Sequence, residues 1–374
     1  MRILLVSDAW APQVNGVVRT LEKTRETLLG FGHEVQVLSP EGYRTLPCPS
    51  YPEIRLALRP GKAVRDAFEQ GPFDAVHIAT EGPIGMAARR WCMRHGLVFT
   101  TSYHTRFPEY LRMRAPVPLA WTYAFLRWFH GAASRTLVRT QTQKELLQER
   151  GFKNLAIWPG GVDTALFYPR DRDHLDLPRP ISMYMGRVSS EKNIEAFLAL
   201  DLPGSKVVIG GGPALESLKR CYPDVHFLGY RHGSALAEAL SSADVFVFPS
   251  RTDTLGLVIL EAMACGVPVA AFPVPGPADL ITDGGNGSLD ENLREAVFRA
   301  LSIDGEACVE FAGSYSWTSC TRRFLSLLQP IADESRLAQS KPTDTYGKDR
   351  SAYNSKACSL PHQAPKATSI VQPS

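Results

Sequence analysis

The sequence predicts an α/β protein built of two tandem, Rossmann-like, doubly wound domains with a cleft between them. Short apolar and β-branched runs alternate with longer segments of helical period, the pattern of parallel strands joined by crossover helices. The alternation is interrupted near residue 170 by a stretch rich in proline and charge and then starts again. The length, 374 residues, also exceeds the roughly 150 of one ordinary domain core.

Composition narrows the class further. With 44% hydrophobic and 21% charged residues the chain is near the globular average, which excludes wholly disordered, collagen-like and membrane-spanning proteins. Lys and Arg number 41 against 38 Asp and Glu, a net +3, so overall charge gives no reason to expect nucleic acid. Seven cysteines form no Cys-x-x-Cys pair, so neither a disulfide framework nor a zinc cluster is expected, and a reducing cytoplasm fits. The apolar run at residues 3–6 is too short for a signal-peptide core and ends at Asp8. No stretch of about 18 apolar residues suggests a transmembrane helix. Such a protein can lie on a membrane without crossing it.

In chain order, strands are expected at Ile3 to Ser7, Val35 to Leu38, Asp74 to Ala79, Val98 to Thr101 and Thr136 to Arg139. Helices are expected at Gly16 to Gly30, Ile84 to Gly96 and Pro118 to Phe129. Phe167-Tyr168-Pro169, the charged run 170–173 and Pro178-Arg179-Pro180 read as a hinge, because proline and unsatisfied charge resist both ladder and helix. The first domain is therefore set at 1–170 and the second at 171–332. In the second, strands at Ile181 to Gly186, Lys206 to Ile209, Val225 to Leu228, Asp244 to Phe248 and Pro268 to Phe272 alternate with helices near Ile194, Leu215, Ala235, Leu257 and Leu293. A last helical pattern, Trp317 to Ile331, could return to the first domain. Residues 333–374 turn polar and are expected to be a disordered tail, since they cannot offset their ordering entropy by burial.

Ligands of such folds bind beyond the carboxyl ends of the strands, so function belongs to the strand-to-helix loops. The first, Asp8 to Gly16, lacks the Gly-x-Gly-x-x-Gly of a dinucleotide site. Gly16 could bring backbone and helix amides to an anion, or the loop could be an ordinary turn with a cap. After the strand ending at Thr101 comes His104, placed either to meet substrate and handle protons or to serve as a core or capping histidine.

The second domain opens with Gly186-Arg187-Val188-Ser189-Ser190-Glu191-Lys192. A guanidinium that forks onto phosphate oxygens and an ammonium five residues later suit a diphosphate, and a simple capping box there is compatible. Gly210-Gly211-Gly212 has no acidic residue ending the next strand, so Gly211 is expected to line a base or sugar rather than a dinucleotide. Asp253 falls in the next loop and Glu261 eight residues on, in the helix. The amides at Gly256 and Leu257 would be unpaired first-turn donors, and the two carboxylates could accept from sugar hydroxyls. Asp253 could equally be an N-cap. Glu261 stands in an apolar run, Val258 to Ala264, where burial without a partner would be costly. Together these parts describe a site for a nucleoside diphosphate sugar, with Arg187, Lys192 and a helix amino terminus stabilising the departing diphosphate. No metal and no other cofactor is expected.

This set resembles the retaining glycosyltransferases of family 4, whose two Rossmann domains form the GT-B fold, over roughly residues 1–331. Gly186-Arg187 through Glu191-Lys192 and the Asp253 to Glu261 spacing carry the likeness, supported by Asn15-Gly16-Val17-Val18, Tyr103-His104-Thr105, Gly160-Gly161-Val162-Asp163 and Gly266-Val267-Pro268-Val269. The resemblance implies that Arg187 and Lys192 hold the diphosphate, Glu261 the ribose, Asp253 and the amides beside it the donor sugar, and His104 the sugar or acceptor. It also implies retention of anomeric configuration. The first acidic position is usually glutamate in the family; the Asp253 variant resembles the glycolipid-forming and mannosyl-transferring subgroup, which includes sulfoquinovosyl and glycosyl diacylglycerol synthases.

Charge distribution bears on the acceptor. Residues 85–140 hold nine basic side chains and one acidic, a local +8 that leaves −5 on the rest of the chain. Within that stretch Trp121, Trp128 and other aromatics interleave with Arg112, Arg114 and Arg127, which suits an anionic membrane surface unless the aromatics are simply core. The expected function is transfer of a sugar from a UDP- or GDP-sugar to a lipid, diacylglycerol being one candidate, by a cytoplasmic enzyme on the inner face of the membrane. The alternatives are a soluble mannosyl- or glucosyltransferase acting on a saccharide, a non-catalytic nucleotide-sugar-binding protein, and a dinucleotide oxidoreductase, disfavoured by the missing fingerprint.

Overall fold

The structure is a computed structural model and describes residues 1–332 except 14, 42, 49–50, 105–106, 115–116 and 254; inside the helices and strands the side chains of residues 48, 51–54, 110, 113 and 114 are also left out. The expected tail, 333–374, and the side chain of Arg114 lie outside the described residues.

The first sheet consists of β1 (Arg2–Val6), β2 (Glu34–Leu38), β5 (Ala75–Ile78), β6 (Thr100–Ser102), β7 (Arg135–Val138) and β8 (Leu155–Ile157); β3 (Thr45–Cys48) and β4 (Tyr51–Ala57) form a separate antiparallel pair. Its order is β2-β1-β5-β6-β7-β8, with every neighbouring pair parallel. Around it run α1 (Gly16–Gly30), α2 (Gly61–Glu69), α3 (Pro83–Arg94), α4 (Phe107–Arg114), α5 (Leu119–His130) and α6 (Gln141–Glu149). β1 and β5 are buried along nearly their whole length, as strands covered on both faces must be.

The second sheet holds β9 (Ile181–Met185), β10 (Ser205–Ile209), β11 (His226–Gly229), β12 (Val245–Phe248), β13 (Val269–Ala271) and β14 (Gly287–Leu289) in the order β11-β10-β9-β12-β13-β14, all parallel. Its helices are α7 (Glu195–Leu198), α8 (Leu215–Cys221), α9 (Gly233–Ser241), α10 (Leu257–Ala264), α11 (Pro277–Leu280), α12 (Leu293–Ala300) and α13 (Gly305–Gly313). The final helix, α14 (Trp317–Leu327), lies against α1; its Cys320, Phe324 and Leu327 share a core with Ile3, Leu5, Leu21 and Leu28. Beyond it, the Ile331 amide donates to the Asp74 carbonyl at 2.8 Å.

Two expectations are corrected in detail. The strand expected to begin at Val98 begins at Thr100, with Val98 exposed, and the one expected from Val225 runs from His226 to Gly229. The passage 167–180 forms no helix or strand, and part of its charge is paired. Arg172 and Arg179 both donate to the Asp244 carboxylate at 2.7 Å, and Phe167 is buried in the second sheet's core.

Candidate active site

In the second sheet the strand order reverses between β9 and β12, and ligands of open α/β sheets bind at such a switch point, beyond the strand ends. The two loops that leave these strands are the ones carrying Arg187, Lys192 and Asp253. They are tied to each other. Asn193 Nδ2 donates to the Pro249 carbonyl at 3.0 Å, Thr252 Oγ1 to the Glu191 carbonyl at 3.3 Å, and Lys192 Nζ makes a close charge-assisted contact with Asp253 Oδ1. Asp253 Oδ2 is buried with no hydrogen-bond partner among the described residues. The Arg187 side chain is exposed, while its carbonyl accepts from the Tyr184 hydroxyl at 2.8 Å. Ser189 stands at the N-cap of the short turn 190–192 and makes no side-chain capping bond.

The glycine cluster has a packing reason. A Cβ on Gly210 would stand 2.0 Å from the Gly186 carbonyl oxygen, and one on Gly212 2.3 Å from that of Val188. The loop runs backbone against backbone with the diphosphate candidate, held by Val188 N donating to the Gly211 carbonyl at 2.9 Å. Gly211 itself faces the Tyr230 ring.

The N-cap of α10 is Gly256, at φ +79°, with no side chain capping the first turn. Asp253 is therefore not the cap, and the helix start at Gly256 and Leu257 is left to its dipole and amides. One turn on, Glu261 is 4% exposed. Its Oε1 accepts from Arg19 Nη1 of α1 at 2.7 Å, and its Oε2 has no partner among the described residues. Burial pushes its carboxyl up to about 7, with the Arg19 charge opposing and Asp163 adding to the rise.

On the first sheet's side, Gly16 is exposed with open space beside it. Asn15 Oδ1 accepts from the amides of both Val17 and Val18 at 3.0 Å. The turn-with-cap reading thus accounts for the amides that an anion would otherwise have met. His104 is buried, and Arg139 Nη2 donates to its Nδ1 at 2.8 Å. Burial, the Arg139 charge and the nearby His77 and His130 hold His104 well below the ordinary imidazole range. The expectation of a near-neutral imidazole is corrected: burial and the Arg139 charge hold the ring in its neutral form. A shallow pocket joins the sides, lined by Tyr103, Tyr123, Gln143 and Arg150 from one and Asp253 and Pro275 from the other.

The basic aromatic stretch divides by helical period. On α5, Thr122, Tyr123, Leu126, Phe129 and His130 are buried, whereas Trp121 is 73%, Phe125 38% and Trp128 52% exposed. Spacing of three to four residues puts the exposed three on one face. Arg112 is exposed, but Arg127 donates to the Arg150 carbonyl at 3.0 Å. Arg89 stacks over Trp128 at 3.9 Å. No helix among the described residues is long and apolar enough to cross a membrane.

Sequence reasoning missed Arg19, whose partner is 242 positions away and has no local signal, and Arg139, which it read only as the end of a strand and part of a basic stretch.

Known proteins resemble this chain in sequence and in fold. Residues 14–166 match the model of Glycosyltransferase Family 4 and residues 179–302 that of Glycosyl transferases group 1. A GDP-mannose-dependent α-mannosyltransferase of Mycolicibacterium smegmatis is 33% identical over 82% of this chain and 86% of its own length. A sulfoquinovosyl transferase of Arabidopsis thaliana is 30% identical over 75% and 61% respectively. Among solved structures, sucrose-phosphate synthase from Thermosynechococcus elongatus superposes with a TM-score of 0.68 at 21% identity, over 87% of this chain and 98% of that one. Two parallel sheets, loops meeting at a switch point, and relatives matched along both halves lead to one assignment: the chain belongs to the family 4 glycosyltransferases of GT-B fold and is a glycosyltransferase enzyme.

Proposed function

We propose that the enzyme moves a hexose from a nucleoside diphosphate sugar to a lipid hydroxyl at an anionic membrane surface, with retention of configuration and without a metal ion. The observation that carries the transfer is the meeting at one switch point of the loop of Arg187 and Lys192 with the loop of Asp253, beside the open start of α10. As the bond between the sugar C1 and the phosphate oxygen breaks, the acceptor oxygen bonds to C1 on the same face and its proton passes to the departing phosphate oxygen. Negative charge grows on the diphosphate, where the guanidinium of Arg187, the ammonium of Lys192 and the α10 amides stabilise it. Lys192 is held by Asp253 before the donor arrives, so diphosphate binding exchanges one anionic partner for another and turns Asp253 toward the sugar hydroxyls. Glu261, with an oxygen still to be satisfied, accepts from the ribose.

The lipid acceptor is supported by the exposed Trp121, Phe125 and Trp128 face and by the exposed Arg112, since aromatic rings favour the headgroup region. Arg114 belongs to the same proposal. Relatives include a sulfoquinovosyl transferase and an α-monoglucosyldiacylglycerol synthase, and several are GDP-mannose-dependent, which makes GDP-mannose the first donor to try. The deciding experiment incubates the enzyme with UDP- and GDP-sugars and a membrane extract, in excess chelator. Lipid-linked product of retained configuration is the expected result, and loss of about a hundredfold or more in turnover is expected of the Arg187→Ala, Lys192→Ala double variant. Inverted product, or turnover abolished by the chelator, overturns the corresponding part.

A further inference from the structure

Arg139 is an unusual side chain for its position. It follows β7, is 6% exposed, and among the described residues no carboxylate pairs with it. Instead its guanidinium lies 4.5 Å over the ring of the buried Trp158, which also meets the His104 ring edge-on at 5.9 Å. Its backbone amide donates to Gln143 Oε1 at 2.8 Å, which fixes where the side chain starts. Its Nη2 points at His104 Nδ1, 2.8 Å away.

A guanidinium has only donors and stays charged at neutral pH; burial brings Arg139 down to about 10, still well above neutrality. The nitrogen facing it must therefore offer a lone pair. Nδ1 carries no proton, so a neutral ring has its proton on Nε2, and an imidazolium would set N–H against N–H. Among the described residues, Arg139, His77 and His130 all disfavour a positive ring at His104.

We propose that Arg139 is a positioning residue that locks His104 as the neutral Nε2–H tautomer, so that His104 meets substrate as a hydrogen-bond donor and takes no proton from the acceptor. This rests on the reading of His104 as a substrate-facing group. It leaves the departing phosphate oxygen as the destination of the acceptor proton, so that one O–H bond breaks and one forms without passing through the imidazole.

The test is long-range proton–nitrogen NMR on the full-length, nitrogen-15-labelled enzyme, with the His104 signals identified by their loss in His104→Gln. The expected spectrum shows a bare Nδ1 and a protonated Nε2, unchanged between about pH 6 and 8, where a free histidine titrates. Arg139→Gln keeps an N–H donor for Nδ1 without the charge and retains the tautomer; Arg139→Met removes the donor, and mixed tautomers with a turnover loss of about tenfold are expected. A protonated Nδ1 or an imidazolium in the wild-type enzyme overturns the proposal even if the methionine variant does not fold, and so does a methionine variant with an unchanged spectrum. Wild-type turnover by His104→Gln would overturn the substrate-facing role alone, leaving the tautomer as measured.

Discussion

Glu261 shows most plainly how a single side chain is set by its surroundings. In an unfolded chain its carboxyl titrates near 4.5, and in the folded protein near 7. The folded state therefore binds the proton more tightly. The stability this confers is complete below about 4.5, declines as pH rises, and is gone above about 7, an effect of up to about 3 kcal/mol. Glu261→Gln should flatten that decline, measured as urea midpoints across this range. Donor hydroxyls that bond to the ionised carboxylate favour loss of the proton, so donor binding near pH 6.5 should release protons, read by calorimetry in buffers of different ionisation enthalpy. The same residue shows what could be read in advance. A carboxylate inside Val258 to Ala264 demanded a partner, but Arg19 could be found only once α1 and α10 were brought together.

At the scale of elements, caps and backbone strain make firmer predictions than helix propensity. Asn15 satisfies two orphan amides of α1, so Asn15→Ala should cost about 1 kcal/mol in a denaturant titration. Gly256 opens α10 at φ +79°, with Phe248 Cζ 3.0 Å from where a Cβ would sit. Gly256→Ala should destabilise the protein by about 1–2 kcal/mol and weaken donor binding with it. Long or strongly β-branched elements were legible in sequence: β1, β9, β12 and α1 fall where their patterns put them. Some of the short ones were not, although the three-residue β13 was. Leu155–Ile157 and Gly287–Leu289 are three-residue strands ordered by the neighbour they pair with, and α6 carries only Gln143 and Leu147 to its buried face, too little apolar period to register.

The whole molecule is organised around the meeting of two sheets' loop ends. That general site was legible because each motif sits just after a strand; the links across it were not, since pairs such as Thr142 N to Asp279 Oδ1, at 2.9 Å, join residues 137 apart. The exposed face of α5 gives a prediction at this scale. Trp121→Ser with Trp128→Ser should reduce co-sedimentation with anionic vesicles several-fold while leaving the thermal transition in place, because both rings are more than half exposed. Co-sedimentation equal to wild type would favour the saccharide acceptor. Phe324→Ala should act on the fold: the ring fills a pocket between His77, at 4.9 Å, and Trp158, at 4.8 Å, and its loss should cost about 3–5 kcal/mol.

The return of α14 also sets an order of events during synthesis. The first sheet is complete at residue 157, but the helix that covers Ile3, Leu5, Leu21 and Trp158 begins at residue 317. At about 5–20 residues per second a ribosome takes on the order of ten to thirty seconds to bridge that interval. Throughout it the nascent amino-terminal half carries a bare oily flank, which makes this flank the place where a chaperone would engage the growing chain, and the emergence of Phe324 the moment it would let go.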